Sequence, residues 1–367
     1  MATYTIGQKD SQPTEWEDFT SLLERSKAMD ISSINIPEEL IAQHPQTQRD
    51  KCRLLCLNKT DGKIKHAIFD SVHELFSVGD VLVFNDSKVV KARFDAVKES
   101  GGKSELFLLD PCSQKNAWHS LIKGKNIKQG TKIIIGKAGV AVEVVAKNND
   151  GTFMVSFPTG TDVNTLMNEF GTIPLPPYIK RPADKKDEEM YQTVFAARPG
   201  SVASPTAALH FTEPLIQKIK DKGVEIKFVT LHVSYGTFSM VRDIDTHIMH
   251  EEFYSVPNDT ADALKKCRNS GGKIWAVGTT VVRTMESAFD EDLKLVKPLG
   301  ATSLFIKPGY KFKAVDSMLT NFHHPSTSLI YLVAAFAGVG HIVSAYKDAV
   351  ALRYRMLSYG DAMAIVV

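Results

Sequence analysis

The sequence predicts an α/β protein of two domains, an α/β domain carrying an inserted small all-β barrel. Three observations carry that expectation. Residues 80–159 hold only strand patterns separated by Gly, Asn and Asp turns. From Thr161 onward, helical and strand periods alternate. The length, 367 residues, exceeds what one average domain needs. The division expected is an N-terminal extension, helical or frayed, over residues 1–30, an α/β domain built from 31–79 together with 160–367, and the barrel over 80–159.

In the extension, Trp16, Phe19, Leu22 and Leu23 recur at the spacing of a short amphipathic helix. From Lys51, CRLLCLNK and KIKHAIF flank an Asp61-Gly62 turn, the signature of a hairpin. DVLVFND, KARFDAV, SELFLLD, KIIIG, VAVEVVA and TFMVSF follow as six short strands without helices, the pattern of a small barrel or sandwich. Thr212 is placed to cap a helix with Pro214 in its first turn, and Gly223 ends it before the strand VEIKFVTLHV. A second helix starts at Asn258 and stops at Gly271-Gly272, ahead of the strand KIWAV and a third helix in GTTVVRTMES. LFIKPGY is expected to be a further strand. Pro325 then opens the last helices, STSLIYLVAAFAG and HIVSAYKDAVALRYRML, with Gly338 as a C-cap between them.

Composition narrows the function classes. With 43% hydrophobic and 23% charged residues the chain reads as globular. Its longest apolar run, residues 329–337, is about half of the roughly 20 residues a membrane span needs, so a buried helix and no membrane partner are expected. The N-terminus lacks a basic segment followed by an apolar one and carries acids, which predicts a cytoplasmic protein. Cys52, Cys56, Cys112 and Cys267 are too scattered for a disulfide framework and read as reduced structural thiols. The net charge of +2 does not announce a nucleic-acid binder, but residues 115–137 hold six lysines and no acid, beside Trp118 and His119. Such a stretch suits a phosphate backbone and equally a solvated face.

In open α/β sheets, ligands collect beyond the carboxyl ends of the strands. Ser234-Tyr235-Gly236-Thr237-Phe238, Gly278-Thr279-Thr280 and Thr320-Asn321-Phe322-His323-His324-Pro325 occupy such positions. The Gly278 turn leads into a helix N-terminus, a natural place for a carboxylate or phosphate, with Arg283 one turn inside. His247-Ile248-Met249-His250-Glu251-Glu252 lacks the i, i+4 spacing of a zincin helix and has no third ligand nearby, so no metal is expected. A histidine beside carboxylates serves as a general base or as a hydrogen-bonded structural group. His232 at a strand end and His210 in GSVASPTAALHFTEPL carry the same two readings. No Gly-x-Gly-x-x-Gly follows a strand, and no Walker loop or Gly-x-Ser-x-Gly elbow is present, which disfavours a dinucleotide enzyme, an NTPase and an ordinary α/β hydrolase. Residue chemistry alone reaches a two-domain α/β enzyme with a histidine-rich cleft.

Longer strings go further. NDSKVVKAR, PLPPYIKRPADKKDEEMYQTVFAARPGSVASPTAALHFT, VTLHVSYGTFSMVR, HIMHEEFYSV, IWAVGTTVVRTMES, FIKPGYKFKAVDSMLTNFHHPSTSLIYLVAAFAG and YGDAM, in order from about Ile34 to the C-terminus, resemble the S-adenosylmethionine:tRNA ribosyltransferase-isomerases of queuosine biosynthesis. The resemblance implies an α/β catalytic domain with an inserted barrel. It also implies transfer and isomerisation of the ribosyl group of S-adenosylmethionine onto 7-aminomethyl-7-deazaguanine at the tRNA wobble position, giving epoxyqueuosine and releasing adenine and methionine. On this reading S-adenosylmethionine is a cosubstrate, no metal is needed, and the protein is expected to act on tRNA as a monomer. His210, His232, His250, Glu252 and Asp316 become candidates for proton transfer. Ser204, Pro205, Thr206 and Ala208 would let a ligand approach the backbone, with Gly236, Thr237, Asn321 and His323 lining the same crevice. Thr279, Thr280 and Arg283 would hold a carboxylate or phosphate, and Asn85, Asp86 and Arg93 sit where tRNA would bridge both domains.

The chain departs from the family's usual pattern at Ala208, at Ser234-Tyr235, at Ser87-Lys88, and at His324 and Ser326. A methyl and a phenol added at glycine-like positions are expected to narrow the pocket, and Lys88 does not grip a phosphate bidentately as arginine does. The alternatives at this point are a divergent non-catalytic paralogue that binds tRNA through residues 115–137, and a histidine-metal hydrolase.

Overall fold

The computed structural model describes residues 30–238 and 240–367. The helix expected around Trp16 to Leu23 lies outside them. The first strands form the expected hairpin, β1 (Arg53–Asn58) and β2 (Ile64–Ile68), turned at Gly62 with a φ of +71°. β3 (Val81–Asn85) and the short β4 (Ser87–Val89) come next. Six strands then close into a barrel: β5 (Arg93–Lys98), β6 (Lys103–Pro111), β7 (Ala117–Lys123), β8 (Lys132–Ile135), β9 (Val140–Lys147) and β10 (Phe153–Ser156). Helices α1 (Val163–Phe170) and α2 (Lys185–Met190) return the chain to β11 (Arg198–Ser201), which pairs in parallel with β4.

The alternating half follows as α3 (Glu213–Asp221), β12 (Glu225–Leu231), β13 (Glu252–Ser255), α4 (Asn258–Asn269), β14 (Ile274–Val277) and α5 (Thr279–Ala288). β15 (Leu299–Thr302), β16 (Ser317–Asn321), α6 (Ser328–Ala337), α7 (Val339–Ala351) and β17 (Ala362–Val366) complete it. The caps read from sequence are in place: Thr212 Oγ1 accepts the Leu215 N–H, and Gly223 and Gly338 take φ of +85° and +90°. Among the described residues no single helix is long and apolar enough to cross a membrane, and α6 is a buried core helix.

Nine strands form one sheet in the order β15-β13-β12-β3-β14-β16-β17-β1-β2. Here β3, β12, β14 and β16 run parallel, so their carboxyl ends open on one side. β17 lies between β16 and β1, antiparallel to the first and parallel to the second. Val81 and Val83 project into a core made with α4 to α7, whereas Leu82 and Phe84 project into a second core with α3, Phe69 and Phe211. A strand covered on both faces has no polar side, which is why VLVFN is almost wholly apolar.

That burial corrects one boundary. DVLVFND belongs to the centre of the large sheet and not to the barrel. The sixth barrel strand is β7, inside the lysine-rich stretch, whose Lys123, Lys125 and Lys128 fall at its end and in the following turn. LFIKPGY is also not a strand: Pro308 lacks an N–H for the ladder and Gly309, at φ +98°, turns the chain.

The barrel joins the large domain through two adjacent strands of chain. Arg93 N–H donates to Thr172 O at 3.3 Å and Thr172 N–H donates back to Arg93 O at 2.8 Å. Beside this pair, a Cβ on Gly171 would lie 1.8 Å from the Lys91 carbonyl oxygen and 2.6 Å from that of Met167. Backbone has nowhere to go there, so Gly171→Ala is expected to lower folding stability by about 3 kcal/mol, the upper part of the range for overpacking. Urea denaturation checks it; an alanine variant within about 0.5 kcal/mol of the parent would contradict the close crossing.

Candidate active site

The four parallel strands end at Asn85, Leu231, Val277 and Asn321, and a cleft opens beyond three of them. Its walls are Ser204-Pro205-Thr206-Ala207, Val233 with Thr237, Gly278-Thr279-Thr280, Thr320 to His324, and Leu357-Ser358 with Tyr178. Gly278, at φ +96°, donates its N–H to Leu319 O at 2.7 Å and starts α5 without a side-chain cap, so the first amides of that helix face the cleft. Among the described residues no carboxylate, lysine or arginine belongs to the lining; its polarity comes from hydroxyls, one amide and two imidazoles.

Both buried histidines of this region are held neutral. Burial pushes His323 down to about 3, and its Nε2 lies 2.7 Å from Thr320 Oγ1. His210 is pushed down to about 4, mainly by burial, and its ring stands behind Asn321 between that amide and the Cys52 sulfur. A base that weak holds its proton poorly, which favours hydrogen bonding over proton abstraction for both.

The structure brings Ser204, Pro205, Thr206, Thr237, Thr279, Thr280, Asn321 and His323 together as lining residues. Glu252 and Arg283 lie just behind them, neutralising each other in a buried ion pair. The Glu252 carboxylate also accepts the Ser234 N–H and the Thr237 hydroxyl, both at 2.9 Å. Arg283 further donates to the carbonyls of Leu304 and Thr302, so all three of its nitrogens have a partner within the protein, and it is absent from the cleft lining. Gly236 serves the loop: a Cβ there would lie 2.2 Å from the His250 ring, which crosses over it on the exposed side.

Other candidates are placed elsewhere. Asp316 precedes β16 and so sits at the opposite end of the sheet, pairing with Arg268 at 3.2 Å and accepting the Ile274 N–H at 2.8 Å. Asn85 ties β3 to β12, with its amide donating to Leu231 O and its oxygen accepting from Leu231 and Ser87. Asp86 accepts the Thr230 hydroxyl at 2.6 Å. Arg93 lies at the barrel junction, its guanidinium over the Phe107 ring and 3.6 Å from Glu105. His232 follows β12 against Gly200, and burial lowers its pKa with Asp86 opposing. Ala208 is fully buried in the core below the cleft, and the Tyr235 ring packs edge-on against Phe107 at 5.6 Å. Neither added group fills the cleft, so the narrowing expected from them is absent.

Tyr178 and Ser358 line the cleft without having been singled out as site residues, beside Thr320 of the loop named from sequence. Tyr178 and Ser358 share a hydrogen bond at 2.6 Å across 180 positions of chain. Their only sequence signal was position, within PLPPYIKRP and directly before YGDAM. Among the described residues no group of three or more His, Cys, Asp or Glu is placed to hold a metal ion.

Comparison with known proteins agrees with this architecture. The sequence model of the family described as "Queuosine biosynthesis protein" matches residues 33–365. The crystal structure of the S-adenosylmethionine tRNA ribosyltransferase from Thermotoga maritima is similar at 36% sequence identity and a TM-score of 0.52, over 90% of this chain and 98% of that one. A family match over nearly the whole body, with the large sheet, the inserted barrel and the cleft at the strand ends, means that this chain belongs to the queuosine biosynthesis protein family.

Proposed function

We propose that this protein transfers the ribosyl group of S-adenosylmethionine to the aminomethyl group of 7-aminomethyl-7-deazaguanine at the tRNA wobble position and isomerises it to epoxyqueuosine, releasing adenine and methionine. The observation that carries the reading is the cleft itself: family-typical strings line a pocket rich in hydroxyls, without a charged side chain among the described residues, and burial keeps His323 in it and His210 behind it neutral. An amine attacks only when unprotonated, and a pocket without a carboxylate disfavours the ammonium form by desolvation. The sulfonium supplies the leaving-group activation, and its positive charge is lost as the bond to sulfur breaks. Small side chains at Ser204, Thr206 and Ala207 leave room for a base turned out of its stack. Lys98, Lys103, Lys123 and Lys125 converge at one end of the barrel and offer cations to an RNA backbone.

Incubation with S-adenosylmethionine and tRNA bearing 7-aminomethyl-7-deazaguanine is expected to release adenine and methionine in equal amounts, read by liquid chromatography. No adenine at saturating concentrations of both would overturn the reading and favour a tRNA-binding role without chemistry.

A further inference from the structure

Two side-chain atoms of the cleft lining are buried and without a hydrogen-bond partner, Ser204 Oγ and Asn321 Oδ1. Ser204 is 6% exposed and Asn321 2%. A buried carbonyl oxygen left unpaired costs on the order of 1–3 kcal/mol, so its persistence calls for a function. The orientation of the Asn321 amide follows from its neighbours. Its Nδ2 lies 3.3 Å from the Leu357 carbonyl oxygen, which accepts and never donates. The same Nδ2 lies 3.1 Å from His210 Nε2. Turning the amide over would set oxygen against oxygen at Leu357. Both amide protons are therefore used inside the protein, and Oδ1 is the atom left over.

The same constraint sets the His210 tautomer. Nε2 accepts from Asn321, so the proton sits on Nδ1, which faces the Cys52 sulfur at 3.1 Å and the backbone of Arg49. Burial raises the Cys52 thiol well above its ordinary value and lowers His210 to about 4, so the chain Cys52–His210–Asn321 carries no charge at neutral pH. Phe69, with its ring centre 5.1 Å from that of His210, holds the imidazole from the side.

We propose that Asn321 Oδ1 accepts an N–H from an amino group of the bound substrate, with Ser204 Oγ beside it as a second contact, and that His210 is a positioning residue that fixes the Asn321 amide. The proposal rests on the activity inferred above, which offers two amino groups: the 6-amino group of the adenine in S-adenosylmethionine and the aminomethyl group of the modified base. An acceptor that cannot be protonated at neutral pH selects for a donor, and it rejects an analogue that presents a carbonyl or a methyl there, because the buried oxygen then faces a second acceptor or no donor at all.

The test compares binding of S-adenosylmethionine with that of its inosyl analogue, in which oxygen replaces the 6-amino group, and of tRNA bearing the 7-aminomethyl base with tRNA bearing a 7-methyl base. Calorimetry is run on the parent protein and on Asn321→Ala. The expected result is a parent preference of about 10- to 100-fold for one of the amino forms, collapsing to within about threefold in Asn321→Ala. The pair that shows the collapse names the source of the amine. A parent preference that survives intact in Asn321→Ala, or no preference in either pair, overturns the assignment. A parent protein that binds neither S-adenosylmethionine nor tRNA removes the inferred activity, and this assignment with it.

His210→Phe and His210→Gln complete the test, since glutamine keeps an acceptor for the Asn321 amide and phenylalanine does not. The affinity of the amino form is expected to fall about tenfold in His210→Phe and to stay within about threefold in His210→Gln, with the pH dependence of kcat unchanged in the glutamine variant. Loss of kcat by 100-fold or more in His210→Gln, with melting temperature retained, would make His210 a base and overturn the positioning role. If His210→Phe does not fold, the glutamine variant alone still decides between the two.

Discussion

Replacing Arg283 by methionine is expected to lower folding stability by about 3–5 kcal/mol, as removal of one partner from a buried ion pair does. Glu252 is 2% exposed and Arg283 3%, so water cannot replace the missing guanidinium. The carboxylate would keep the Ser234 N–H and Thr237 hydroxyl at 2.9 Å but lose its counter-charge. The double variant Arg283→Met/Glu252→Gln removes both charges and is expected to recover a large part of the loss. Urea denaturation of the single and double variants closes the cycle. Equal stability of the double variant and Arg283→Met would mean that packing of the arginine stem, and not its charge, carries the effect.

The second large effect is acid lability above the usual carboxylate range. In the unfolded chain His210 and His323 titrate near 6.5; in the fold burial pushes them down to about 4 and about 3. For His210 a hydrogen bond with the Arg49 backbone opposes the shift, and the nearby charges of Arg355 and Arg49 add to it. The unfolded chain therefore binds more protons between pH 6.5 and 4, and stability rises with pH across that window. It is fully present above about pH 6.5 and falls as the pH drops, by about 1.4 kcal/mol per unit for each histidine, until His210 and then His323 take up protons in the folded state as well. His323→Gln is expected to show a slope shallower than the parent's by about that amount between pH 6 and 5. Urea midpoints at several pH values measure it, and parallel slopes for the two proteins would mean that His323 is solvated in the fold.

Much of the site was legible because topology and not local chemistry decides where a cleft falls. Once KIWAV was read as a strand, Thr279 had to stand beyond its carboxyl end, and Asn321 stands likewise at the end of β16. The same rule applied with strand direction reversed explains Asp316, which precedes its strand and emerges at the far end. What one dimension hides is mutual satisfaction. Glu252 and Arg283 look like two reagents 31 positions apart, yet the fold spends each on the other. His210 looks like a lone base, but Cys52 and Asn321, 158 and 111 positions away, occupy both of its nitrogens. Strand β7 was obscured because it opens the lysine-rich stretch and shows no clean alternation: its buried residues, Ala117 and Ser120, stand three positions apart.

The place of β17 has a consequence for the order of assembly. Among the described strands hairpin β1-β2 is synthesised first, and its link to the rest of the sheet runs through a strand made some 300 positions later, with Leu54 to Asn58 paired to Ala362 to Val366. Until that segment is available, the earliest-made apolar edge, Leu54, Leu55 and Leu57, has no partner on one side, and β16 lacks its neighbour too. The earliest of the described strands thus wait for the latest, and the sheet seals like a zip drawn from its far end. The barrel, whose strands are all local, is free to fold in the interval, so a nascent chain holds a finished small domain beside an unclosed large one.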